Sequence, residues 1–105
     1  MTQNSIPQPQ LGAASALVQL LAENPDLPQA AWSIDLGTLH GHIHDGSFVE
    51  LGRYAGVLGG SIRPRHDFPL NGRVMRAHYL SSTWRDVPVE VVVVLPVAVQ
   101  TAVAA

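Results

Sequence analysis

The dipeptide Asn71-Gly72 is the feature that most constrains the fold of this chain. Both residue types tolerate positive φ, so the pair favours a two-residue type I′ turn between antiparallel strands. Such a turn fixes which residues of the two strands lie opposite each other. One face of the hairpin would carry the mostly apolar pairs Leu70–Arg73, Phe68–Met75, His66–Ala77 and Pro64–Tyr79, and the other face Asp67–Arg76, Arg65–His78 and Arg63–Leu80.

The other elements follow from hydrophobic periodicity and from the residues that end helices and strands. We predict a helix over 11–23 with Ala14, Leu17, Val18 and Leu21 on its buried stripe, strands over 31–36 and 39–44, a helix over 48–58 and a last strand over 87–95. Ser47 and Glu50 form a capping box before the second helix. The valines at 91–94 indicate a central strand, and Pro64 indicates an edge strand.

The resulting order α-β-β-α-β-β-β predicts an α+β fold, a two-layer sandwich with two helices packed on one face of a mostly antiparallel sheet of about five strands. A chain of 105 residues with 47% hydrophobic residues fits a single domain, for which we expect residues 11–96. Residues 1–10 are expected to form a disordered arm, and residues 97–105 a flexible apolar tail. The sequence shows no signal peptide and no membrane span, so we expect a cytoplasmic protein.

Composition excludes several function classes. The absence of cysteine excludes disulfides and thiol chemistry. The net charge is −2, and all six basic residues are arginines that lie at or after Arg53, whereas five acidic residues precede it. This balance disfavours binding to nucleic acid or to a membrane surface, although a nucleic-acid-binding regulator remains a further alternative because of the clustered arginines.

The run His40-Gly41-His42-Ile43-His44-Asp45 is the one constellation with a chemical character. Alternate residues of a strand project from the same face, so two imidazoles could converge on one zinc ion. Asp45, His66 or His78 would supply a third ligand. The sequence therefore predicts a metal-binding protein or a metal-dependent enzyme as an alternative function, and a solvated polar strand face is the other interpretation of the same run.

No catalytic motif is present, and the sequence favours a non-catalytic interaction module without a cofactor. Two helices cover only one face of the predicted sheet, and the open face would bind a second copy of the chain or another protein. The expected contact residues are Arg63, Arg65, Arg76, His78, Leu80 and Trp84. Because arginines would outnumber acids there, we also expect lowered histidine pKa values and weaker stability in acid.

The chain also resembles small uncharacterised single-domain proteins of GC-rich actinobacteria. The residues that carry the resemblance are LAENPDLPQAAWSID, GTLHGHIHD, VLGG at 57–60 and TWRDVPVEVVVVLP, and the similarity covers roughly residues 15–96. No motif of that group has an assigned reaction, so the resemblance implies no catalytic residue. It implies the same fold class and a protein that is not secreted.

Overall fold

The computed structural model describes residues 9–97 of the chain. Two helices and five strands follow one another in the predicted order, which confirms the α+β class. The elements are α1 Pro9–Glu23, β1 Ala31–Asp35, β2 Thr38–Ile43, α2 Phe48–Leu58, β3 Ser61–Leu70, β4 Arg73–Trp84 and β5 Val87–Pro96. None of these helices is long and apolar enough to cross a membrane.

The five strands form one sheet in the order β1-β2-β5-β4-β3. Strands β2 and β5 run parallel, whereas every other neighbouring pair is antiparallel. The valine-rich strand β5 lies in the centre and β3, which contains Pro64, lies at an edge, so both predictions are confirmed. A central strand is paired on both sides and flanked by side chains on both faces, which is why it tolerates a continuous apolar run.

Tight turns close the three hairpins of the sheet. The dipeptides Leu36-Gly37, Asn71-Gly72 and Arg85-Asp86 each hold both residues at positive φ, as a type I′ turn requires. The predicted turn at Asn71-Gly72 is therefore confirmed. At Leu36, φ is 51°, an uncommon conformation for a bulky residue.

Helix α2 begins with the predicted capping box. The Ser47 hydroxyl accepts a hydrogen bond from the Val49 backbone N–H at 3.1 Å, and the Glu50 carboxylate accepts one from the Ser47 backbone N–H at 2.6 Å. These bonds satisfy backbone donors that have no partner inside the helix. Gly59, with φ of 71°, ends the helix and turns the chain into β3.

The buried stripe of α1 differs from the prediction. Ala13, Ala16 and Leu20 face the core, whereas the side chain of Val18 is 66% exposed. Residues 9–22 contain no charged residue, so several stripes around the helix were equally apolar. The two alanines let α1 lie close to the sheet, and the Trp84 indole N–H donates to the Ala16 carbonyl at 3.0 Å.

The register of the β3–β4 hairpin is as predicted near the turn and wrong farther from it. Asp67 pairs with Arg76 as expected, but Arg63 pairs with Tyr79 instead of Leu80. The cause is a β-bulge, in which the two residues between Pro64 and Asp67 oppose a single residue of β4. The extra residue in β3 shifts its pairing with β4 by one position. Each β3 side chain beyond the bulge therefore lies opposite a different β4 residue from the one predicted.

The ends of the described chain extend slightly past the predicted domain. Helix α1 begins at Pro9, within the segment expected to be disordered, and proline is compatible with a first helical turn. The Val97 backbone N–H donates to the Val74 carbonyl at 2.9 Å, so pairing continues past residue 96. The rest of the predicted arm and tail, residues 1–8 and 98–105, lies outside the described residues.

Candidate functional site

Both helices pack on the same face of the sheet, which we call the helix face. The Ser82 hydroxyl donates to the Leu58 carbonyl of α2 at 2.8 Å, and Trp84 of the same face binds α1. Residues that lie directly opposite each other on neighbouring strands project from the same side. The opposite side, called the open face here, therefore carries Ala31, Ser33, His40, His42, Arg63, Phe68, Met75, Ala77, Tyr79, Glu90, Val92 and Val94.

The centre of the open face is apolar. Ala77 is only 8% exposed although it is not part of the cluster under the helices, and Tyr79, Val92 and Val94 are half-buried around it. A shallow cavity of about 430 Å³ adjoins them at one end of the strands, lined by His42, Ile43, His44, Asp45, Phe68, Leu70, Met75 and Val94. The neighbouring side chains of the sheet itself partly bury this patch, which faces away from both helices.

The rim of the open face is polar and its charges are segregated. On the β3 side, the guanidinium of Arg65 lies 4.2 Å from the centroid of the Tyr79 ring, a cation–π contact. Arg63 is exposed opposite Tyr79. Toward β1, the Glu90 carboxylate lies 3.3 Å from His40 Nδ1. The face is therefore basic at the β3 edge, and its acidic side chains, Glu90 of the central strand and Asp35 of β1, lie away from that edge.

Four of the six predicted contact residues do not lie on the open face. Leu80 is fully buried under the helices, and the edge of His78 packs against the Phe48 ring of α2, with centroids 4.4 Å apart. Arg76 projects from the helix face and binds Asp67 through Nε and Oδ1 at 2.5 Å. Trp84 also lies on the helix face, so only Arg63 and Arg65 are positioned as expected.

The facing of β4, and of β3 next to the turn, is the inverse of the one that the sequence predicts. The apolar residues Phe68, Met75 and Tyr79 were expected under the helices, but they lie on the open face. Hydrophobic alternation identifies which residues share a face, but it does not tell which face the helices cover. The signal available in the sequence was that both hairpin faces contain large apolar side chains.

The structure divides the histidine run. The rings of His42 and His44 stack with centroids 4.2 Å apart, while His40 approaches Glu90. Asp45 follows the strand in a left-handed conformation with φ of 55°. Among residues 9–97, no group of three or more histidine, aspartate or glutamate side chains is close enough to hold a metal ion. Two of the four predicted ligands, His42 and His44, therefore contact each other through their stacked rings.

Two histidines have lowered pKa values, in the predicted direction. Burial lowers the pKa of His42, with a further contribution from His44. Burial against α2 also lowers the pKa of His78, where Arg76 lowers it further and Asp67 opposes the change. The main cause is thus desolvation of the imidazolium and not the excess of arginine that the sequence suggested.

We expect the protein to lose stability as the pH falls below about 6.5, the value for a histidine in an unfolded chain. A folded-state pKa below that value means that the unfolded chain binds more protons, so acid favours unfolding. Thermal melts between pH 7.5 and 5.0 should show a falling midpoint, and the fall should shrink in His78→Gln. The exposed His66 gives the matched control, His66→Gln. A midpoint that stays flat or rises in acid would contradict this expectation.

Within residues 9–97 both helices lie on one face of the sheet, and these layers define the class of this protein as a two-layer α+β domain. No family model, no curated protein and no solved structure matches the chain. Its function must therefore be inferred from its own surfaces.

Proposed function

We propose that the protein is a non-catalytic interaction module that associates with a second copy of itself through the open face. The observation that carries this proposal is the apolar centre around Ala77, Val92 and Val94, which lies on the side of the sheet opposite both helices. Contiguous apolar patches on the outer side of a sheet mark interaction surfaces in soluble domains.

The composition of the open face fits a protein interface. Interface centres are enriched in aromatic residues, methionine and arginine, and their rims are polar. Here Tyr79 and Met75 lie near the centre, and Arg65 stacks on the Tyr79 ring. The stacking holds the long arginine side chain in place before association, which reduces the entropy lost when it becomes part of a contact.

The charge distribution supports self-association in particular. When two sheets pack face to face about a two-fold axis parallel to the strands, β3 of one copy lies over β1 of the other. This arrangement brings the basic side of the face, with Arg63 and Arg65, over β1 of the other copy, whose open-face side chains include Asp35 and no basic residue. At both edges of the contact, a basic strand then lies over a strand whose only charge is negative, and charge complementarity of this kind fixes orientation.

Sedimentation velocity over a concentration series tests the proposal. Val92→Thr keeps the side-chain shape but adds a hydroxyl to the apolar centre, and Arg63→Glu reverses a rim charge. Each should raise the dissociation constant of self-association about tenfold, which corresponds to the loss of one good contact.

The control is Val74→Thr, the same substitution at an exposed β4 residue whose side chain projects from the other side of the hairpin. It should leave association unchanged. A monomer up to several hundred micromolar, or association that neither open-face variant weakens, would show that the proposal is wrong.

A second candidate is zinc binding, which the stacked pair His42–His44 favours. Two imidazoles leave half of a tetrahedral zinc site to be filled by water or by another molecule, so only weak binding is expected from one chain. Calorimetric titration with zinc, on the wild type and on His42→Ala, decides it. Heat of binding that is the same in both proteins would exclude this pair as the ligands.

A further inference from the structure

The two edges of the sheet differ in how they are protected. Free strand edges present unpaired backbone N–H and C=O groups to other chains, and natural proteins block them with proline, bulges or charge. Edge strand β3 contains Pro64, Pro69 and a bulge between them, together with exposed arginines. Edge strand β1 contains none of these features, and its only charged residue, Asp35, is at its end.

We infer that β1 is a second self-association surface, at which two copies pair their β1 strands antiparallel about a two-fold axis through Ser33. The two five-stranded sheets would then form one continuous ten-stranded sheet. The register places Ser33 opposite the partner's Ser33, Trp32 opposite the partner's Ile34, and Ala31 opposite the partner's Asp35.

This register is complementary in both polarity and shape. Trp32 and Ile34 project from the helix face and are only half-buried, so each would gain a cross-strand apolar neighbour from the second copy. No like charges meet, because Asp35 falls opposite an alanine. Trp32 is already held in place, since its ring lies over Gly41, where an added Cβ would come within 2.9 Å of it, and packs edge-on against Tyr54.

Leu36 provides a second, independent observation. Its side chain is 93% exposed, and its φ of 51° is a conformation that type I′ turns usually give to Asn or Gly. A leucine here is therefore unfavourable in the isolated chain both for its exposure and for its backbone. The turn follows β1 directly, so in the inferred pairing Leu36 would lie close to the segment that precedes β1 of the second copy, where an apolar side chain would be covered.

The edge contact goes beyond the open-face contact and does not depend on it. The two-fold axis of the edge contact is perpendicular to the sheet and passes between the two β1 strands. The axis for face-to-face packing instead lies between two sheets, parallel to the strands. Because the two axes do not intersect, both contacts together would build an open assembly, and either contact alone gives a dimer. A five-residue edge is short, so this contact is expected to be weak, with a dissociation constant in the micromolar range.

Charge exchange at Ser33 tests the inferred pairing. Ser33→Lys and Ser33→Glu each place like charges opposite each other at the two-fold axis, so each variant alone should lose the edge contact in sedimentation velocity. An equimolar mixture of the two should restore it, because opposite charges then meet across the pair. Ser15→Lys, at an exposed position of α1 outside both contacts, is the matched control and should associate like the wild type.

Leu36→Asn gives a separate readout. It should raise the thermal midpoint of dilute protein, because the backbone strain is relieved, and it should also weaken association. If Ser33 variants associate like the wild type while the open-face variants do not, the edge inference is wrong and the proposed function stands. Because Ser33 itself projects from the open face, the converse result together with rescue by the Lys–Glu mixture rejects the open-face contact and keeps the edge. Failure of the Lys–Glu mixture to restore association would overturn the register.

Discussion

The Tyr54→Ala variant should lose about 3–5 kcal/mol of its free energy of unfolding, as deletions of large buried aromatic side chains typically do. Tyr54 is fully buried at the centre of α2. Its ring packs edge-on against Trp32 with centroids 5.9 Å apart, and its hydroxyl donates to the Pro28 carbonyl in the segment before β1. One side chain thus ties the second helix to both the sheet and the connection from α1.

Urea denaturation followed by circular dichroism measures the effect. Tyr54→Phe separates the hydroxyl from the ring, and should cost about 1–2 kcal/mol because it leaves the Pro28 carbonyl without its partner. The control is Tyr79→Phe on the open face, which should change stability by less than about 0.5 kcal/mol. An equal effect of the two Phe substitutions would mean that Tyr54 is not bonded as described.

Leu80→Ala should be the other strongly destabilising variant, with an expected cost of about 3 kcal/mol. Leu80 lies on β4 opposite Ile62 of β3 and Val91 of β5, and no part of it is exposed. Truncation removes buried apolar area and leaves a cavity in a layer held between the helices and the sheet, where neighbours collapse only partly.

The Leu80→Ala variant also tests which face of the hairpin packs under the helices, because the sequence alone predicted that Leu80 lies on the open face. The matched control is Leu70→Ala, the same deletion at the end of β3, where Leu70 is 47% exposed. It should cost less than about 1 kcal/mol. If both truncations cost the same in urea titrations, the face assigned to β4 is wrong.

Local sequence signals predicted the elements well. The structure contains the predicted Ser47–Glu50 capping box, the Asn71-Gly72 turn and the central valine-rich strand β5. The capping box and the turn depend on contacts within a few residues, and the position of β5 depends on the strands beside it. The candidate site was harder to predict, because it depends on which side of the sheet the helices occupy. Arg63 and Arg65 were placed correctly, whereas Arg76, His78, Leu80 and Trp84 were not.

The sequence by itself determined the order, type and approximate bounds of the helices and strands, and the pairing of the β3–β4 hairpin next to its turn. The tertiary structure alone decided the facing. Both faces of β4 contain large apolar residues, so burial of either one would stabilise the chain by a similar hydrophobic contribution. The choice follows from long-range contacts, the bonds from Ser82 and Trp84 to the two helices, and from a bulge that shifts β3 by one residue. The two-residue periodicity of side chains along a strand predicts neither these long-range contacts nor the bulge.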